Sequence, residues 1–435
     1  MVGTGARAEM FVRALVHDHA DSAELVALVD PNPARAAAYN RLVERLGAPP
    51  VPVGGPEALP AVLAEERVDT VVVTSPDHTH ADHVVTALAA DCSVITEKPM
   101  TTDVTGCRRI LDAAAKGPGT VTVTFNYRYN PVHEQVWRLL HDQVIGEILS
   151  VHFEWLLDVR HGADYFRRWH RNKAHSGGLL VHKAGHHFDL VNWWLGAAPV
   201  QVAAQGRLAF YGPENGRRNG YARDYARAHG SPEADGDPFA LHLADSPRLR
   251  ELYLDAEHED GYHRDQNVFA PGITIEDDLA LLVRYDTGAT MSYHLTAYAP
   301  WEGYRIAFNG SRGRLELEVV ESDHVSPAAA TGLKGAPIHG VDAAAEQGSL
   351  RLQVRRFWEP PEDVPVPAHR REGHGGGDAR MLADLFGADG PTDPLHRGAS
   401  ERDGALALLT GLAGNRSLAT GGALVTVADL LELPR

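Results

Sequence analysis

Four basic side chains, His182, Lys183, His186 and His187, fall within six residues, after Gly177-Gly178 and just before Asp189. Imidazole titrates near neutrality, and a lysine drawn out of water gives up its proton more readily. Such a stretch is equipped to take a proton from a hydroxyl group. The two glycines predict the start of a helix covering about 181–195. On it His182, His186 and Asp189 share one face, while Lys183 and His187 share the next. A carboxylate one turn from a histidine can orient that histidine as a base, which assigns Asp189 to His186. The spacing of His182 and His186 also suits metal ligands, but the glutamate of the His-Glu-x-x-His helix is missing, and no metal is expected. Further upstream stands Glu97-Lys98-Pro99, with a second lysine at the end of a short apolar run.

A third constellation supplies something for this chemistry to act with. Gly3-x-Gly5-x-x-Ala8 has the small-residue spacing of a turn that lets the backbone approach a pyrophosphate. Asp30 ends the second apolar run, where a carboxylate accepts hydrogen bonds from ribose hydroxyls and repels a 2′-phosphate. No arginine follows it immediately, so NAD is expected rather than NADP. A plain strand–helix turn would read similarly at Gly3-Gly5, and Asp30 tips the balance.

The elements that must position these groups alternate through the first 125 residues. Strands are expected at Ala23–Val29, Val68–Thr74, Ser93–Thr96 and Thr120–Phe125. Helices are expected at 6–19, Ala34–Leu46, His80–Ala90 and Thr102–Lys116. That alternation predicts an α/β, doubly wound parallel sheet of Rossmann type, with Lys98 at a strand's carboxyl end, where ligands bind. Only Met1 and Val2 precede the glycine turn, so the first strand is largely absent from the chain.

Beyond residue 125 the period changes to two. Ile148–Leu157, Gln201–Tyr211, Leu279–Tyr285, Ala289–Ala297, Gly303–Gly310 and Arg314–Val320 read as strands of a large, mostly antiparallel, open-faced sheet in an α+β domain. The expected organisation is 1–125 for the nucleotide domain and 126–365 for the substrate and oligomerisation domain. A polar insert at 212–272 should carry short helices, one near Ser246–Glu257. C-terminal helices over 366–435 should return towards the domain interface.

A balance of 41 basic to 58 acidic residues, net charge −17, argues against nucleic-acid or anionic-membrane partners. Two cysteines, Cys92 and Cys107, make no disulfide framework, and a cytoplasmic location is expected. No apolar run approaches the roughly 20 residues that span a bilayer.

Taken in order, Gly3-x-Gly5, Asp30, Thr74-Ser75-Pro76 with His80, Glu97-Lys98-Pro99, Arg128 with Pro131, and the Gly177-to-Asp189 stretch resemble the glucose–fructose oxidoreductase / inositol dehydrogenase / rhizopine-catabolism family (Gfo/Idh/MocA). The resemblance covers both domains. It implies NAD held by Gly3, Thr4, Gly5, Ala6, Arg7, Asp30, Thr74, Ser75, Pro76, His80, Glu97 and Lys98, and catalysis by Lys98 and His186. The family's helix commonly has an aspartate four residues before that histidine. Here the position is His182, and with Lys183 beside it either a variant proton relay or a pocket for an acidic substituent on the sugar is expected. Arg128, Tyr129, Arg168, Trp169, His187 and His374 are the candidate substrate contacts, the aromatic and basic ones suiting a sugar ring. The implied activity is hydride transfer from a hydroxyl-bearing carbon of a sugar, glycoside or polyol to NAD, in a homodimer or homotetramer. Two other outcomes fit the same resemblance: a glycoside hydrolase that oxidises transiently and eliminates, and an NAD-binding regulator without turnover.

Overall fold

The computed structural model describes residues 1–325, 348–366, 372–387 and 393–433, with the side chains of 372–374 excepted. The N-terminal parallel strands run in the spatial order Val53–Gly54, Leu28–Val29, Val2, Thr70–Val73, Ser93–Thr96 and Val121–Val123. Val2 bridges Val29 on one side and Val73 on the other, so the short segment before the glycine turn sits at the centre of the sheet. The strand expected at Ala23–Val29 shrinks to Leu28–Val29, because only its end has partners on both sides. Helices begin where chemistry allows: Asn32 caps Pro33–Arg45, with proline at the first turn, and Asp103 caps Val104–Ala114.

The second domain is a nine-stranded sheet in the order 362–363, 349–356, 313–322, 302–310, 148–158, 290–299, 278–285, 199–207, 425–426. Every neighbouring pair is antiparallel except Ile148–Asp158 with Thr290–Ala299. Alternate residues face the core; Leu279, Leu281, Val283 and Tyr285 are buried while Leu282 is 64% exposed. The strand Ser349–Arg356 and the helices Pro131–His141 and Val159–Arg167 were not anticipated from the sequence. Asp158 caps the last of these by accepting from the Arg160 and His161 backbone N–H groups.

Two helices are among the elements that tie the domains together. Helix Ala184–Leu195, buried along both faces, lies between the large sheet and helix Glu401–Ala419. The latter follows Ala399–Ser400, which adds an antiparallel edge strand to the nucleotide-domain sheet beside Thr122 and Val123. Among the described residues no helix is long and apolar enough to cross a membrane.

Candidate active site

The glycine turn is built for close approach. Gly3 has φ +89°, and a side chain there would collide with the Ser75 backbone, whereas a Cβ on Gly5 would meet only the Tyr253 hydroxyl, at 3.9 Å. Thr74 supports the turn, its hydroxyl donating to the Gly3 carbonyl at 2.7 Å. Asp30 stands against the turn and accepts from Thr4 N (2.6 Å), Thr4 Oγ1 (2.8 Å) and Asn32 N (2.7 Å). Arg7 is paired with Glu97 at 2.6 Å and reaches Asp378 at 3.4 Å. His80 clamps the two loops of this edge, its ring nitrogens lying 2.8 Å from the carbonyls of Ser75 and Pro99. Ser75 in turn meets the Thr79 hydroxyl at 2.7 Å. A glycine turn open on one side and a carboxylate held at the next strand end together fit a dinucleotide.

Lys98 leaves the end of strand Ser93–Thr96 and meets the second domain. Its ammonium lies 3.3 Å from the His182 carbonyl and 3.4 Å from His182 Nε2. His182 Nδ1 lies 2.5 Å from Asp77 Oδ2. Lysine, imidazole and carboxylate therefore form a line. Burial pushes all three towards their neutral forms: the Lys98 and His182 pKa values go down and that of Asp77 goes up. Lys98 and Arg168 oppose the shift on Asp77, and Asp77 followed by Glu97 oppose that on Lys98.

The helix carrying His182 is not continuous. Leu179–His182 and Ala184–Leu195 are separate turns that break at Lys183. One regular face for His182, His186 and Asp189 is therefore corrected. His182 points to Lys98 and Asp77. His186 stacks on Tyr127, with ring centres 4.4 Å apart. Asp189 does not orient His186; it forms a two-pronged pair with Arg128, at 2.6 and 2.8 Å. Both partners are at most 2% exposed, so Arg128 is a buried strut and not a cleft contact.

Lys183 stands 4.6 Å above the Trp155 ring and donates to the Tyr127 hydroxyl at 3.1 Å. His187 is fully buried, stacked on Trp155 at 4.1 Å and bonded to the Tyr293 hydroxyl at 2.7 Å. Burial and then Lys183 keep it well below the ordinary histidine range, and it belongs to the wall behind the site. Tyr129 lies under Arg397, 4.8 Å from its guanidinium, in the core beside helix Glu372–Phe386. Arg168 grips Asp164 at 3.2 Å, and Trp169 stacks on His170 at 3.5 Å beside His182. The His374 side chain lies outside the described residues. The glycines after it permit close contact: a Cβ on Gly377 would sit 2.5 Å from the Asn126 carbonyl, and Asp378 accepts from Asn126 at 2.6 Å.

Sequence reasoning missed Asp77, Tyr127, Trp155 and Tyr253. The first follows Thr74-Ser75-Pro76, and proximity to that motif was the available signal. His170 completes a trio with Asp77 and His182 whose ligand atoms lie within 4.8 Å of one another. Such spacing can hold a metal ion. Here the carboxylate is already engaged by His182, and Lys98 and Arg168 bring positive charge to the same place. That electrostatic setting favours proton traffic over a divalent cation.

The chain matches the oxidoreductase family, NAD-binding Rossmann fold, over residues 1–125, and that family's C-terminal alpha/beta domain over 138–363. It belongs to this Gfo/Idh/MocA family, and its N-terminal domain is an NAD-binding Rossmann fold. It is 35% identical over 414 residues to the Bacillus subtilis (strain 168) protein YteT, an oxidoreductase by name, covering 91% of this chain and 89% of that one. Similarity to the inositol 2-dehydrogenase of Rhizobium meliloti (strain 1021) is 30% over 204 residues, 47% of this chain and 56% of the relative. The WlbA dehydrogenase from Bordetella pertussis, solved with NADH and UDP-GlcNAcA, shares the fold with a TM-score of 0.63 at 19% identity, over 100% of this chain and 98% of that one.

Proposed function

We propose that this chain is an NAD-dependent dehydrogenase acting on a hydroxyl-bearing carbon of a sugar, glycoside or polyol. The observation that carries the reading is the meeting of Lys98, from the nucleotide domain, with His182 at 3.4 Å, from the segment that also brings in Lys183 and His186. When bound, NAD supplies the acceptor for hydride. The chain supplies the proton chemistry: Lys98 and His186 hold the reacting hydroxyl, and one of them takes its proton. Positioned acid–base groups of this kind contribute roughly 10²–10⁴-fold. In this reading His182, backed by Asp77, passes charge away from Lys98 and does the work of the aspartate usual at its position.

The half-buried Trp169 supports a ring substrate with an apolar C–H face, while Tyr127 and Trp155 are covered by His186, His187 and Tyr304 and form the wall behind it. The inositol 2-dehydrogenase among the relatives supports the polyol part of this class. Assembly with a second copy of the chain, implied by the family resemblance, belongs to the same reading. A panel of polyols, free sugars and glycosides with NAD tests the reading by NADH formation. At least one member should give NADH, and H186Q and K98M should each abolish most of it. Glycoside cleavage without NADH would shift the assignment to oxidation and elimination. Binding of NAD with no turnover on any member would make the chain a regulator.

A further inference from the structure

The polar insert does not stay with the domain that carries it. Residues 241–262 cross to the nucleotide domain and join its core: Leu241, Leu243, Leu249, Leu252 and Tyr253 cluster with Ala6, Phe11, Leu15, Tyr39 and Leu42. Polar contacts follow the same path. Arg248 bonds Glu9 at 2.8 Å and lies 4.7 Å from the Tyr39 ring centre, and Arg41 bonds Glu251 at 3.0 Å. Asn32, directly after Asp30-Pro31, donates to the Ala256 carbonyl at 2.9 Å. Arg35 pairs with Asp260. At the centre the Tyr253 hydroxyl accepts from the Ala6 backbone N–H at 3.0 Å, on the glycine turn itself.

Such placement is more than surface packing. The Ala6 N–H belongs to the turn whose backbone favours a pyrophosphate. Among the described residues that N–H is the one partner of the Tyr253 hydroxyl. The oxygen accepts from Ala6, and the hydroxyl's own proton remains to be donated. Farther along, Asn32 and Arg35 bind the insert at the strand end where Asp30 marks the ribose side. The insert thus touches both ends of the adenosine-diphosphate half of the site.

We propose that residues 246–262 form a strap that retains the dinucleotide, with Tyr253 as a cofactor-holding residue that donates to the pyrophosphate. Asp260 has a second consequence. It occupies Arg35, the nearest arginine to Asp30, and adds a carboxylate where a 2′-phosphate would need a cation, so the strap enforces NAD over NADP. The proposal rests on the NAD-binding assignment and is independent of the substrate reading.

The test uses the full chain and reads cofactor, not activity. NAD(H) released by denaturation is quantified after gel filtration, and exchange with isotopically labelled NAD gives its off-rate. Wild type should keep most of its dinucleotide through the column. Y253F, which removes only the hydroxyl, and R248E, which sets a carboxylate against Glu9, should each release it at least about tenfold faster, the size of one good hydrogen bond. Near-ultraviolet circular dichroism establishes that each variant is folded, and either variant alone decides the matter. Wild-type exchange as fast as the variants', or tighter retention by Y253F, would overturn the strap. Failure of every carbohydrate to reduce the bound NAD would sink the proposed function and leave this measurement standing.

Discussion

Replacing Asp77 by asparagine keeps the shape beside His182 and removes one charge, which isolates the electrostatic link from Asp77 to Lys98. One imidazole ring separates the two groups, with contacts of 2.5 Å to Asp77 and 3.4 Å to Lys98. Two unit charges on the order of 8 Å apart, at an effective dielectric of about 20, interact by about 2 kcal/mol. To the extent that Asp77 is ionised, it raises the Lys98 pKa and opposes the burial that lowers it. In D77N the neutral fraction of Lys98 at a fixed pH below its midpoint should rise about thirtyfold. Competitive acetylation read by mass spectrometry on the Lys98 peptide measures this without any substrate, because only the free amine reacts. The acid side of the labelling curve should move to lower pH in D77N. An unchanged curve would mean that Asp77 is already neutral and linked to His182 by a hydrogen bond alone. A move to higher pH would refute the geometry outright.

The remaining predictions need less construction. R128M should destabilise the chain by about 3–5 kcal/mol in urea unfolding, because it leaves Asp189 buried without its partner; the paired change R128M/D189L should recover much of the loss. G3A should abolish NAD retention, since φ +89° and the Ser75 backbone leave no room for a side chain; wild-type retention in that variant would show the turn to be uninvolved. If the strap holds NADH as it holds NAD, the first active substrate should give a burst of about one NADH per chain followed by a slower phase. A linear trace from time zero would instead mean free exchange.

Much of the site was legible because its residues report on backbone demands or on chemistry that short motifs encode. Gly3 announces a positive φ, Asp30 a strand end, Lys98 a strand-to-loop exit. The strands of the large sheet showed through their two-residue period, with edges off by only a few positions. What failed within the site did so for one physical reason: side-chain direction depends on long-range packing. His182 and His186 are one helical turn apart in spacing, yet the break at Lys183 sends them to different partners. Arg128 looks like a ligand-binding arginine until Asp189, 61 positions away, is seen to take both prongs of its guanidinium.

The insert is the strongest case, and it explains how the two halves of the site depend on each other. Its apolar residues are spread among many charges, so no periodicity marks them as core, and their partners Phe11, Tyr39 and Leu42 lie some 200 positions earlier. Ion pairs such as Arg248 with Glu9 could form only after the two domains were brought together. A segment emitted by the C-terminal domain is thereby fixed to the nucleotide domain at Ala6 and Asn32, while Lys98 of the nucleotide domain is fixed to His182 of the other. Each domain contributes a residue to the other's half of the cleft. Loosening either crossing should therefore be felt at both, with strap variants altering Lys98 reactivity as well as cofactor release; Lys98 labelling in R248E that matches wild type would show the two crossings to be independent.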